Sequence, residues 1–155
     1  MESLLAAMES TAIAEYLRVS RWGYAAVNTA HILGIALLVG AIMPFNLHIF
    51  GLWRGVPRLL LARVLLPVAA TGLALAVVAG TLLFSVRALE YSAIAFLQLK
   101  ILLVMAGVFS ALLQLRAYGW SLRGATEARL RTHALVSTVC WFGALVCGRL
   151  IAFVD

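Results

Sequence analysis

Charge is what this sequence has least of. Charged residues make up 12 % of the 155 positions, and the six acids are Glu2, Glu9, Glu15, Glu90, Glu127 and Asp155. A soluble domain of this size covers its surface with about 25 % charged residues, so an ordinary water-soluble fold is excluded. No acid falls inside a long apolar run, which leaves a transmembrane proton relay of carboxylates without material. The zinc-protease pattern H-E-x-x-H and paired C-x-x-C motifs are absent too. Cysteine is nearly absent: Cys140 and Cys147 lie seven apart in one apolar run. On a helix they stand about 10 Å apart along the axis. That is beyond disulfide reach, so both read as small packing residues. There is no internal repeat and no low-complexity segment. The net charge of +6 comes almost wholly from arginine, and the bases are not clustered among aromatics on a polar face. Nucleic acid is therefore not the partner. Short basic loops facing an anionic lipid leaflet account for the excess.

Apolar residues, by contrast, are 65 % of the chain. Four stretches, 22–45, 64–84, 93–113 and 134–153, each reach the roughly 20 helical residues needed to cross a hydrocarbon core. They do not alternate polar and apolar residues as barrel strands do, which leaves helices. The expected fold is all-α: an integral membrane four-helix up-down bundle over 22–155, entered by a short interfacial helix over 1–21. That first segment carries Glu2, Glu9 and Glu15 in place of a basic start, so it is not a secretory signal. Leu4, Leu5, Met8, Ile13, Tyr16 and Leu17 give it an apolar side on which Glu15 intrudes. Pro67 is expected in the first turn of the second span, Pro57 in a loop, and Pro44 where the first span bends or ends. Small residues at Ala30 and Gly34, and at Ala69, Gly72, Ala76 and Gly80, mark seams where helices pack closely in lipid.

Arginine placement gives an orientation. Arg54, Arg58, Arg63, Arg116, Arg123, Arg129 and Arg131 fall on one side, against Arg18, Arg21 and Arg87 on the other. The positive-inside rule then puts both termini outside the cytoplasm, on the periplasmic side of a bacterial inner membrane. Trp22 and Tyr24 at one end, and Trp53 and Trp120 at the other, read as interfacial anchors.

Ionisable groups at membrane depth are costly, which makes each a candidate site. At helical rise, His31 lies about 13 Å in from Trp22, Lys100 about 10 Å in from Ala93 and Arg149 about 6 Å in from Phe153. With antiparallel neighbours all three are counted from the outer side and can form one layer. Asn28 shares the face of His31, and Lys100, Gly107 and Gln114 form a polar-and-small stripe with a seven-residue spacing. Glu90 and Tyr91 in the outer loop stand within sequence reach of Lys100. The plainer alternatives stay open: Arg149 and Lys100 snorkelling to headgroups, and His31 as a neutral imidazole bonded to a backbone carbonyl or to Asn28. His48 and His133 fall at the opposite end, either solvated or, since they match in depth, paired on a haem b. Ser110, Ser137, Thr71 and Thr81 read as hydroxyls bonded to their own preceding turn.

The motifs His31-x-x-Gly34 with Gly40, Gly80-Thr81-Leu82-Leu83-Phe84, Phe96 with Gln98-Leu99-Lys100, and Gly148-Arg149-Leu150-Ile151-Ala152 occur in order along the chain. In these the sequence resembles an uncharacterised bacterial family of four-helix integral membrane proteins, known by a domain of unknown function. Where such proteins end the first helix with an acidic residue, leucine and arginine, this chain has Asn46-Leu47-His48. The resemblance implies the fold and no activity. More distantly the chain is similar to small membrane b-type cytochromes and copper-resistance membrane proteins, bundles that use intramembrane histidines.

Three functions are compatible with these residues. In the first, a redox module binds a cofactor or ligand: His31 ligates a haem iron or hydrogen-bonds a quinone-type headgroup, with Asn28 beside it, while Lys100 and Arg149 hold carboxylates such as haem propionates. In the second, the chain is a non-catalytic membrane subunit, a homo-oligomer or an assembly partner of a larger complex. The third is an oligomeric transporter for an anion drawn to the cationic layer, although no inverted repeat or broken helix supports it.

Overall fold

A computed structural model describes residues 2–119, 122 and 124–153. Among them the regular structure is entirely helical: α1 (Glu2–Glu9), α2 (Ala12–Val19), α3 (Arg21–Phe50), α4 (Arg58–Ser85), α5 (Ala88–Ser92), α6 (Ala95–Tyr118) and α7 (Glu127–Leu150). A 3-10 turn, Ile151–Phe153, extends α7. The helices α3, α4, α6 and α7 with its turn are each long and apolar enough to cross a membrane. Trp120, Arg123 and Asp155 lie outside the described residues.

Local chemistry sets the helix ends. The side chains of Thr11, Ser20 and Thr126 accept from the backbone N–H of Ala14, Gly23 and Arg129, satisfying donors that a helix start leaves open. Gly51 closes α3 at φ 112°, a left-handed conformation that glycine takes without strain.

Four local expectations need correction. The N-terminal segment is two short helices, broken at Ser10 and Thr11, because the Thr11 hydroxyl starts a second one. Glu15 does not intrude on a buried face; Ala14 and Leu17 are the buried residues of α2. Pro44 does not end the first long helix, which runs on to Phe50. The proline ring presses on the turn four residues back, and Gly40 stands there in open space. The continuation buries Phe45, Asn46 and Ile49, which outweighs one lost backbone hydrogen bond. Pro67 is interior to α4 and not in its first turn, since the helix starts at Arg58, directly after Pro57.

The long helices pack in the order α4–α3–α7–α6, and no comparable seam joins α4 to α6. The α3–α4 seam is the tightest. A Cβ on Gly34 would stand 2.5 Å from the Ala76 backbone N, and one on Gly72 would stand 2.5 Å from the Leu38 backbone N. Only glycine permits that approach, and close backbone contact is what holds helices together in lipid. At the far end of this seam Phe45 and Ile49 sit with Ala62, so the pairing runs in opposite directions along the two helices. Across α6–α7, Gly107 lies against the Trp141 ring. The outward faces carry Val78, Leu102, Met105, Phe109 and Val139, all exposed.

The two N-terminal helices are tied to the α4–α5 corner. An Arg18 Nη2 group donates to the carbonyls of Val86 (2.9 Å) and Glu9 (3.2 Å), while Glu9 Oε1 accepts from the Leu89 backbone N–H at 2.8 Å.

Candidate functional site: a cleft and a chamber in the helix bundle

Two cavities lie along the bundle. The upper cleft, beside α5, has a volume of about 710 Å³ and draws walls from α3, α4, α5, α6 and α7. Asn28, His31 and Lys100 line it, with Tyr24, Glu90 and Tyr91 also on its walls. The rest of its lining is mostly aliphatic.

His31 is held firmly. Its Nδ1 stands 2.8 Å from the Ala76 carbonyl oxygen. A carbonyl only accepts, so Nδ1 carries the hydrogen, and in a neutral ring Nε2 keeps its lone pair. The ring rests on Gly80, where a Cβ would stand 2.8 Å from His31 Cε1. Glycine at 80 therefore makes the room that the imidazole occupies.

Lys100 occupies a notch at Gly148: Nζ is 3.1 Å from the point a Cβ there would take. The ion pairs among the described residues are Arg58–Glu127 (3.0 Å) and Arg87–Glu90 (3.3 Å), and neither includes Lys100. Glu90, within sequence reach of Lys100, is thus engaged by Arg87. In α5, burial pushes the Tyr91 hydroxyl above its ordinary pKa, helped by the neighbouring Tyr24 and opposed by Arg87. It stays a neutral donor on the cleft wall.

Of the four residues singled out in the sequence, Asn28, His31 and Lys100 share this cleft and Arg149 does not. Arg149 is exposed, and its guanidinium carbon lies 4.9 Å from the Phe153 ring centre, on the outer face of α7. The other two histidines are not brought together. His48 Nδ1 meets the Leu52 carbonyl at 3.1 Å, and His133 Nδ1 meets Ser110 Oγ at 3.2 Å. Among the described residues no three His, Cys, Asp or Glu side chains group as a metal site, and both cysteines are free and buried.

The lower chamber, about 220 Å³, was not legible as a site. Asn46, Ser110, Gln114, His133 and Ser137 line it. Asn46 is 3 % exposed and donates through Nδ2 to Ser137 Oγ and Thr138 Oγ1, both at 3.1 Å. The Thr138 hydroxyl spends its own proton on the Ala134 carbonyl at 2.8 Å, so it can only accept from Asn46. That fixes which way the amide faces. Thr71 and Thr81 do bond their preceding turns, at 2.9 and 2.8 Å, whereas Ser110 and Ser137 turn to other helices. The signal in the sequence was Ser110 and Ser137, each three residues inside the same end of its span, with Asn46 just past that end of the first span.

Comparison with protein-family models, with curated proteins and with solved structures finds no match to this chain.

Proposed function

We propose that this is a four-span inner-membrane protein, an up-down bundle with both termini periplasmic, that binds a quinone-type amphiphile in its upper cleft as a redox module. On this reading it is one of the uncharacterised four-helix membrane proteins that its motifs resemble. The observation that carries the reading is a lysine without an acidic partner among the described residues, sharing an aliphatic cleft with an imidazole of fixed tautomer. A cation in such surroundings is stabilised by an acceptor group from a ligand. The open side between α4 and α6 lets an isoprenoid or acyl tail remain among lipid tails while the head reaches inward.

Of the two cofactor classes, the quinone fits the residues present. The cleft offers one imidazole, whereas a b-type haem held by two histidines needs a second, and Arg149 is turned away from any propionate. A bound quinone supplies two-electron, two-proton chemistry. Around it, Lys100 donates to a ring carbonyl, His31 Nε2 accepts from a ring hydroxyl or donates when protonated, and Asn28 adds an amide near the opening.

Equilibrium binding of decylubiquinone to the detergent-purified protein tests this. Lys100→Met is expected to weaken binding about tenfold or more, the loss of a charge-assisted hydrogen bond worth about 1.5–3 kcal/mol, and His31→Gln is expected to weaken it as well. Unchanged affinity in both variants would overturn the reading. A second reading, a membrane subunit covered by a partner, is favoured by α6, of which Gly107 is the one buried residue. Native mass spectrometry showing a stoichiometric companion would support it.

A further inference from the structure

The upper cleft and the lower chamber meet at one layer. Leu38, Leu73 and Trp141 line both cavities and pack in a single cluster, so the same three side chains form the floor of one and the ceiling of the other. Each half holds one imidazole, His31 above and His133 below.

The lower half offers polar partners to water. With both Asn46 amide protons spent on hydroxyls, Oδ1 accepts from no donor among the described residues. Ser137 accepts from Asn46 and keeps its own proton, and no protein hydrogen bond engages the Gln114 side chain among the described residues. A chamber of about 220 Å³ with several uncommitted donors and acceptors has the room and the polar partners that ordered water requires. No carboxylate lines it, and His133 is its one imidazole. In the upper half the titratable groups that share the cleft with His31 are Lys100 on α6, Glu90 and Tyr91 on α5 and Tyr24 on its own helix; α4 meets the ring through the Ala76 carbonyl and Gly80 and adds no titratable side chain to the cleft.

We propose that the two cavities are the two halves of a proton route across the bundle, closed in this structure by the Leu38–Leu73–Trp141 layer. The route rests on the membrane placement of the bundle and runs through the same His31 that the proposed ligand contacts. A proton taken from water by His133 passes through the chamber, crosses the layer when the layer admits water, and reaches His31. It leaves to the other face, with no bond made or broken besides those to hydrogen. Hydrophobic constrictions of this kind gate by excluding water.

Proteoliposomes holding a pH-sensitive dye, under a potassium diffusion potential, test the route. Leu38→Ala and Leu73→Ala are expected to raise proton flux over wild type roughly tenfold or more by opening the layer. Adding His133→Gln to Leu73→Ala is expected to return flux toward the wild-type level. Two septum variants guard against misfolding of either, with circular dichroism and gel filtration as controls. Flux equal to that of protein-free liposomes in both well-folded septum variants would overturn the proposal. So would flux unaffected by His133→Gln, or flux accompanied by chloride or sodium, which marks a simple water leak. Decylubiquinone affinity, measured on the same preparations, reports the cleft reading separately.

Discussion

A single glycine decides how His31 is presented. At Gly80 a methyl group would stand 2.8 Å from His31 Cε1, closer than such atoms approach, and a tight 3.2 Å from Nδ1. The ring is a side chain and can swing away, but doing so breaks its bond to the Ala76 carbonyl. A helical Gly→Ala change otherwise favours the helix by about 0.5–1 kcal/mol. Gly80→Ala is therefore expected to keep or raise thermal stability while decylubiquinone affinity falls about tenfold, a hydrogen bond's worth. Parallel melting and binding measurements check this, and a loss of stability without a loss of affinity would contradict it. At this scale the sequence was half legible. His31 and Lys100 stood out because ionisable groups are costly in lipid, and their depth followed from helical rise. Depth says nothing about direction around the helix axis, and Arg149, at a comparable level, faces outward onto Phe153. Asn46 and Ser137 were harder still, since each has local bonding options and only the α3–α7 packing joins them.

Among the elements, α1 and α2 act as a strap across the α4–α5 corner. Arg18 and Glu9 make the ties, and α5 in turn contributes Glu90 and Tyr91 to the cleft wall. These contacts are partly exposed, so each contributes about 1 kcal/mol or less. Arg18→Gln is expected to speed hydrogen exchange at Leu89–Ser92 severalfold and leave the α3–α4 seam protected. Exchange mass spectrometry reads both regions at once, and an unchanged α5 would mean the strap carries no load. The long helices were legible in the sequence by their apolar centres, and α4 and α7 run past the apolar stretches into charged turns. Arg58, Arg63, Glu127, Arg129 and Arg131 looked like loop residues because they are charged, yet they occupy extra turns of α4 and α7 beyond the apolar layer. The Arg58–Glu127 pair joins those two turns. Polarity marks where a helix leaves the lipid, not where it stops.

For the whole molecule the open matter is which way round it sits. On the proposed orientation, read from the arginine bias, the α3–α4 connection lies in the cytoplasm and α5 outside. Cysteine substitutions at exposed, uncrowded positions report this directly. In intact cells Ala93→Cys is expected to react with a membrane-impermeant maleimide, and Gly55→Cys only after lysis. The native cysteines are buried and contribute no background. The reverse pattern would place both termini in the cytoplasm and invert the direction of any proton uptake through His133.

The unsealed flank between α4 and α6 changes how affinity must be expressed. A guest that arrives sideways is drawn from the lipid or micelle phase, where its effective concentration is moles per mole of amphiphile. Doubling the detergent at fixed total quinone dilutes it, and an apparent Kd in molar units drifts upward with no change in the protein. Titrations at two detergent levels should superimpose once plotted against mole fraction.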